Sequence, residues 1–184
     1  MVPAQTVGIS SPNEEHFGYY EPHNFKMFRQ AQDDLRQYIE TDGPFDGVMA
    51  FSQGCSVAAA FILELQRAKS KIGDSVSGAQ AFKCAVFLAG RPPYIDADLK
   101  NTYSGPRGED MGLNEQISIP TVHIWGRNDR IEPGNALALH NICSREDKRA
   151  VVHNGGHEVP GARDKDAVID SAHVVKRMIA SISR

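Results

Sequence analysis

The sequence predicts an α/β fold, a three-layer sandwich in which a mostly parallel sheet is covered by helices on both faces. Short apolar runs alternate along the chain with segments of helical period, which is the pattern of such a sheet. A serine also stands at the turn between an apolar run and a helix. With 184 residues, 41% of them hydrophobic, the chain has the size and composition of one domain, residues 1–184.

The N-terminal part is predicted to contain a loop, a helix and a strand. Residues 1–19 lack periodicity and are rich in Gly, Ser, Pro and Asn, which predicts a loop. Apolar residues recur every three or four positions over residues 25–39, with Asn24 placed to cap a helix and Gly43 to end it. The apolar stretch 45–51 that follows predicts a strand.

The rest of the chain continues the alternation of helices and strands. Helices are predicted where apolar residues recur at helical spacing, and strands where short apolar runs are bounded by Gly, Pro or Asn. The predicted order is helix 56–68, strand 81–89, strand 119–125, helix 135–143, strand 150–153 and a C-terminal helix after Asp164. In that last helix, one face is formed by Val168, Ala172, Val175, Ile179 and Ile182. We expect this face to pack against the sheet.

Charge, hydropathy and cysteine content exclude several classes of protein. The formal net charge is −3 and the basic residues are scattered, so neither nucleic acid nor an anionic membrane is expected as a partner. The longest apolar run, residues 57–63, is far shorter than a membrane span, and no signal peptide pattern is present, so we expect a cytoplasmic protein. The three cysteines, Cys55, Cys84 and Cys143, are expected to be reduced packing residues.

The pentapeptide from Ala50 to Gly54 has the features of a nucleophile elbow. Ser52 follows an apolar strand and precedes a helix, and small residues lie two positions to either side. A sharp turn there would raise the serine hydroxyl above the sheet and aim the N–H groups of the helix at an oxyanion. The alternative is an ordinary strand-to-helix turn in which Ser52 caps the helix, and the pentapeptide alone does not separate the two.

An aspartate and a histidine follow Ser52 in the order that hydrolase triads of this architecture use. Asp129 comes directly after the predicted strand 119–125, and His157 comes after the last predicted strand. Each could instead be a loop residue without a role. Two further acidic residues after an earlier strand are reserve candidates for the acid, Asp96 and Asp98.

His153 and His157 have a spacing that metal-binding pairs use, but no metal site is expected. Gly155 and Gly156 between them make a helix improbable, so the two rings are not predicted to share one helical face. No cysteine or third histidine lies close by in the sequence.

These motifs resemble the FSH-type serine hydrolase family of small α/β-hydrolases. The likeness rests on residues 43–54 (GPFDGVMAFSQG), residues 120–129 (PTVHIWGRND) and residues 155–160 (GGHEVP), and extends over nearly the whole chain. It implies that Ser52 is the nucleophile, Asp129 the acid and His157 the general base, with the N–H of Gln53 in the oxyanion hole and no cofactor.

The chain departs from the family pattern in two places. Ala50 stands where the elbow usually begins with glycine, which is a mild change because alanine is also small. Family members also begin further upstream, with a strand and a His-Gly-type loop that supplies the second oxyanion donor. The resemblance therefore predicts a sheet without the first strands of the usual fold. The strand at residues 45–51 would then lie near an open edge, where a second copy could pair to form a homodimer.

The function expected from these residues is hydrolysis of an ester or thioester through an acyl-enzyme. The substrate would be a small-molecule or carrier-bound acyl group, and the resemblance implies a role in release or tailoring of a fungal polyketide. Residues 91–118 fit neither helix nor strand and are expected to form a loop or small cap over the substrate. Within this segment the candidate pocket residues are Tyr94, Tyr103, Met111 and Leu113.

Two alternatives to hydrolysis remain open. An internal nucleophile could intercept the acyl-enzyme, which would make the protein a cyclase or an acyltransferase. A binding or assembly subunit could also keep the elbow while lacking half of the oxyanion apparatus.

Overall fold

The computed structural model describes residues 2–3, 17–72, 82–93, 116–144, 146 and 148–183. The strands are β1 (Val2–Pro3), β2 (Phe17–Gly18), β3 (Gly47–Phe51), β4 (Cys84–Leu88), β5 (Thr121–Gly126) and β6 (Lys148–His153). The helices are α1 (Phe25–Asp42), α2 (Gln53–Ile72), α3 (Asn135–Asn141) and α4 (Lys165–Ile182).

The main sheet is parallel and has the strand order β3-β4-β5-β6. Helices α2 and α3 cover one face, α1 packs on α2, and α4 covers the other face. Because helices lie on both faces, the central strands are buried on both sides. Strand β4 is accordingly apolar throughout, whereas β5 also buries Thr121 and His123. The predicted α/β class is confirmed.

The core forms two layers, one on each side of the sheet. On one side, α2 contributes small residues such as Ala58 and Ala59 together with Phe61, which pack near Phe87 of β4. The small side chains let α2 lie close to the strands, and Phe61 fills the space that remains. On the other side, Met178 of α4 is buried against Val86 of β4 and Val122 and Ile124 of β5 in one apolar cluster.

Both long amphipathic helices begin with a side-chain cap, and the cap at Asn24 is the one that the sequence predicts. The side chain of Asn24 accepts a hydrogen bond from the N–H of Met27 at 3.2 Å, and that of Asp164 accepts one from the N–H of Ala167 at 3.0 Å. These bonds satisfy N–H groups that have no acceptor within the helix.

The structure differs from the prediction in two places. The predicted loop over residues 1–19 contains β1 and β2, which pair antiparallel but are too short to create a periodic pattern. The predicted buried face of α4 is only partly correct, because Ile179 is 49% exposed whereas Met178, outside that face, is buried. The helix is rotated so that Val174, Met178 and Ile182 face the strands.

Strand β3 is an edge of the main sheet within the described residues. The backbone carbonyl of Asp46 accepts from the N–H of Lys83, and the N–H of Ser52 donates to the carbonyl of Leu88. The even-numbered residues of β3 therefore bond to β4, and the backbone groups of Gly47, Met49 and Phe51 face outward. Beside this edge lies a groove of about 480 Å³, lined by residues of β3, β4 and α4 that include Met49 and Ile179.

Among the helices that the structure describes, none is both long enough and apolar enough to cross a membrane.

Candidate active site

Ser52 lies at a sharp turn between β3 and α2. Its φ is +50°, in the left-handed region, and its N–H donates to the carbonyl of Leu88 at 2.9 Å. A Cβ at Gly54 would lie 3.3 Å from the ring of Tyr19, a tight contact that the ring would have to relieve by shifting. The same Cβ would lie 3.9 Å from the Cβ of Ala50, which is an ordinary van der Waals distance.

His157 connects Ser52 to Asp129. Its Nε2 lies 2.7 Å from Oγ of Ser52, and its Nδ1 lies 2.7 Å from Oδ2 of Asp129. The side chains of His157 and Asp129 are 2% and 8% exposed. Three residues on three separate strand-end loops therefore form one hydrogen-bonded chain.

Asp129 is fixed by its own loop. Its Oδ1 accepts hydrogen bonds from the N–H groups of Ile131 and Glu132, each at 2.9 Å, which leaves Oδ2 for the imidazole. Burial raises the pKa of Asp129, but the bonds from Glu132, His157 and Ile131 together outweigh it and hold the pKa below its ordinary value. The carboxylate is thus ionised and can accept the Nδ1–H of the imidazole.

The loops after β5 and β6 are joined by backbone and side-chain hydrogen bonds. The N–H of Asn128 donates to the carbonyl of Gly155 at 3.1 Å, and its side-chain amide donates to the carbonyl of Asn154 at 2.6 Å. At the end of β5, a Cβ on Gly126 would collide with the carbonyl oxygens of Gly155 and Gly156. This close approach sets the distance between Asp129 and His157.

His153 stabilises the same loop through its two ring nitrogens. Its Nδ1 accepts from the N–H of Gly155 at 3.1 Å, so Nε2 carries the proton and donates to the carbonyl of Glu158 at 3.2 Å. Both ring nitrogens are therefore used by the backbone around His157. The described residues include no cluster of three or more metal-ligating side chains.

Gln53 is the first residue of α2, so its N–H has no acceptor within the helix. This group follows the serine directly, in the position that the sequence assigned to an oxyanion donor. The Gln53 side chain turns away to the Tyr19–Tyr20 backbone, a contact that the sequence did not predict.

Cys55 lies beneath the elbow but has the environment of a packing residue. It is fully buried, its thiol donates to the carbonyl of Ala50 at 3.1 Å, and burial raises its pKa to about 12. A thiol that stays protonated is a poor nucleophile. All three cysteines are free and buried, as predicted.

The candidate pocket residues fall in the part of the chain that the structure does not describe, and so do the two reserve acids. This applies to Tyr94, Tyr103, Met111 and Leu113, and to Asp96 and Asp98.

A parallel sheet carries an elbow serine that is hydrogen-bonded to a histidine, and the histidine is in turn hydrogen-bonded to an aspartate on a neighbouring loop. This arrangement defines the class of α/β-hydrolases. Comparison with known families agrees, since the family described as Serine hydrolase (FSH1) matches residues 4–169. The chain belongs to this family of serine hydrolases.

Curated relatives are fungal proteins named as esterases or hydrolases. Esterase FPY3 of Fusarium mangiferae is 30% identical over 179 residues, covering 97% of this chain and 77% of the relative. Hydrolase phiM of Fungal sp. (strain ATCC 74256) is 31% identical, covering 73% of this chain and 59% of that protein. Family of serine hydrolases 2 of Saccharomyces cerevisiae is 28% identical, covering 79% and 57%. The chain thus spans between 57% and 77% of the length of these three relatives.

Solved structures share the fold at low sequence identity. A carboxylesterase from Mesorhizobium loti superposes with a TM-score of 0.56 at 15% identity, covering 89% of this chain and 71% of that one. A monoacylglycerol lipase from Paleococcus ferrophilus superposes with a TM-score of 0.51 at 13% identity, covering 81% and 75%.

Proposed function

We propose that this protein hydrolyses an ester or thioester by a two-step acyl-enzyme mechanism with Ser52 as nucleophile. The observation that supports it most strongly is the pair of 2.7 Å contacts that His157 makes, one to Oγ of Ser52 and one to Oδ2 of Asp129. A nucleophile, a base in contact with it and an acid that orients the base are the parts that acyl transfer requires.

In the first step, Oγ of Ser52 attacks the acyl carbonyl carbon while Nε2 of His157 takes the hydroxyl proton. The new oxyanion accepts a hydrogen bond from the N–H of Gln53, and the ionised Asp129 stabilises the imidazolium. The carbon–oxygen or carbon–sulfur bond to the leaving group then breaks. His157 gives its proton to that group, which departs as an alcohol or thiol.

In the second step, a water molecule hydrolyses the acyl-enzyme. His157 removes a proton from the water as its oxygen attacks the acyl carbon, and the same N–H of Gln53 holds the oxyanion. The bond between the acyl carbon and Oγ of Ser52 breaks, and the proton returns to the serine. The products are a carboxylic acid and the free enzyme.

The proposed substrate carries an apolar acyl group. Aromatic and aliphatic side chains near the site are exposed, among them Tyr19 at 53%, Phe51 at 41% and Val159 at 48%. Such side chains favour apolar ligands over charged ones. The family resemblance extends the proposal to acyl groups of fungal polyketides, as free small molecules or on a carrier.

The test is steady-state hydrolysis of matched oxygen esters and thioesters that carry the same acyl group. We expect turnover of at least one series by the wild type, and a loss of at least about 1000-fold in Ser52→Ala. Equal rates in both proteins would contradict the proposal. Consumption of the acyl donor with release of a cyclised or transferred product would replace hydrolysis by acyl transfer.

A further inference from the structure

The side chain of Gln53 holds a distant segment of the chain against the start of α2. Its Oε1 accepts hydrogen bonds from the N–H of Tyr19 at 2.7 Å and from the N–H of Tyr20 at 3.4 Å. Its Nε2 donates to the carbonyl of Tyr20 at 2.9 Å. The amide therefore pairs with this backbone as a neighbouring strand would, across more than thirty positions in the sequence.

The held segment places two aromatic rings in different environments. The ring of Tyr20 is 2% exposed and packs edge-on against Phe28 of α1, with ring centroids 4.9 Å apart. The ring of Tyr19 is 53% exposed and lies over Gly54, the second residue after Ser52. Tyr20 thus anchors the segment, while Tyr19 presents its ring beside the amide that would face the oxyanion.

The ring of Phe51 is also exposed close to the reacting groups. It is 41% exposed, and its centroid lies 5.4 Å from that of the His157 ring. Tyr19 lies on the α2 side of Ser52, and Phe51 lies on the histidine side.

We propose that Tyr19 forms a wall of the acyl-binding site and that Gln53 is the positioning residue that keeps it there. Gln53 then has two separate roles. Its backbone N–H faces the oxyanion, whereas its side chain fixes the Phe17–Tyr20 segment and so determines which acyl groups fit. The ligand class is an apolar acyl chain long enough to contact the Tyr19 ring. The inference rests on the proposed hydrolase function.

A double-mutant cycle on Gln53 and Tyr19 tests the inference, with p-nitrophenyl butyrate and octanoate as substrates. Tyr19→Ala removes the wall, and Gln53→Leu keeps the volume of the side chain but loses its hydrogen bonds. For octanoate we expect each single variant to raise KM about 10-fold with a smaller change in kcat, and the double variant to raise it no further. Tyr19→Phe, which keeps the ring, should recover most of the octanoate affinity.

Gln66 provides a matched control because it makes a similar clamp from the same helix. Its Nε2 donates to the carbonyl of Gln116 at 2.9 Å, and its Oε1 accepts from the N–H of Ser118 at 3.0 Å. Gln66 lies thirteen positions after Gln53 along the same helix, a distance of about 20 Å. Gln66→Leu should lose comparable stability, yet its effect on octanoate KM should be additive with that of Tyr19→Ala.

Amide hydrogen exchange gives a readout that does not depend on turnover. Exchange at Tyr19 and Tyr20 should be faster in Gln53→Leu than in the wild type, and unchanged in Gln66→Leu. Unchanged exchange in Gln53→Leu, or additive effects of Gln53→Leu and Tyr19→Ala on KM, would overturn this inference and leave the proposed hydrolase function intact. Absence of ester hydrolysis by the folded wild type would instead contradict the proposed function and remove the inference with it.

Discussion

Gly126 at the end of β5 packs directly against the carbonyl oxygen of Gly155 in the loop that carries His157. There is no room for a Cβ at this position, so the loop with the imidazole can approach the loop with Asp129 only because residue 126 is glycine. The alignment of the site therefore depends on a residue with no side chain and no chemical role.

Substitution of Gly126 is expected to reduce activity without unfolding the protein. Gly126→Ala pushes the His157 loop away from β5, and a displacement of about 1 Å at a catalytic group costs on the order of 100-fold in rate. Gly161→Ala is the control, because a Cβ there would meet nothing within 4 Å. If both variants keep wild-type kcat/KM, the contact at Gly126 does not set the geometry of the site.

Asp129→Asn should leave the fold intact and remove most of the activity. Its side-chain oxygen would still accept from the N–H groups of Ile131 and Glu132, so its NH2 group would face Nδ1 of His157. The imidazole would then carry its proton on Nε2 and could not accept the proton of Ser52. We expect kcat to fall about 10⁴-fold.

The circular dichroism spectrum of Asp129→Asn should match that of the wild type, which separates a tautomer effect from unfolding. Retention of more than about a tenth of the wild-type kcat would show that the carboxylate does not set the imidazole tautomer.

The burial of His123 leads us to expect a loss of stability in mild acid. It is 2% exposed on β5, and burial, with smaller effects from His140 and Lys148, lowers its pKa from 6.5 to about 3. As the pH falls, the unfolded chain binds this proton before the folded chain does. The free energy of unfolding therefore keeps its full contribution from His123 above pH 6.5 and decreases as the pH falls toward 3. A tenfold difference in proton affinity between the folded and unfolded chains corresponds to about 1.4 kcal/mol.

The measurement is urea unfolding between pH 7 and pH 4 for the wild type and His123→Phe. His123→Phe should have a shallower decline of the free energy of unfolding with acid, whatever its stability at pH 7. Some decline is expected to remain, because burial and Lys148 also lower the pKa of His140, whose ring lies 5.0 Å from that of His123. Parallel pH profiles of the two proteins would contradict the assignment to His123.

The open edge of β3 leads us to propose a homodimer in which the β3 strands of two copies pair. The outward backbone groups of Gly47, Met49 and Phe51 have no partner strand within the described residues. Light scattering after size exclusion should give about twice the chain mass of 20.2 kDa. Met49→Lys should shift the population to monomer, since an edge lysine opposes strand pairing. A wild-type monomer at high concentration would rule out the proposed dimer.

The elements that carry the site could be predicted from the sequence for a simple physical reason. Parallel strands bring their carboxyl ends to one edge of the sheet, so residues that follow separate strands meet there. Ser52, Asp129 and His157 each follow such a strand, and the structure places them in contact. The helix caps could be predicted because capping depends on neighbours in sequence.

The parts that could not be predicted depend on contacts between segments without periodicity. Tyr19 lies in a region predicted as loop, and nothing in its local sequence indicates that it bonds to Gln53. Gly126 reads as an ordinary turn glycine until the position of Gly155 is known. The packed face of α4 differs from the prediction because exposed apolar residues such as Val168 and Ile179 recur at helical spacing too, so spacing alone does not identify the packed face.

The central claim is that Ser52 is activated for nucleophilic attack. The most direct measurement is intact-mass spectrometry after treatment with a fluorophosphonate, which bonds to an activated serine with loss of fluoride. We predict one adduct on the wild type, located at Ser52 by peptide mapping, and none on Ser52→Ala. A folded wild-type protein that gains no mass, or an adduct that persists in Ser52→Ala, would contradict the account.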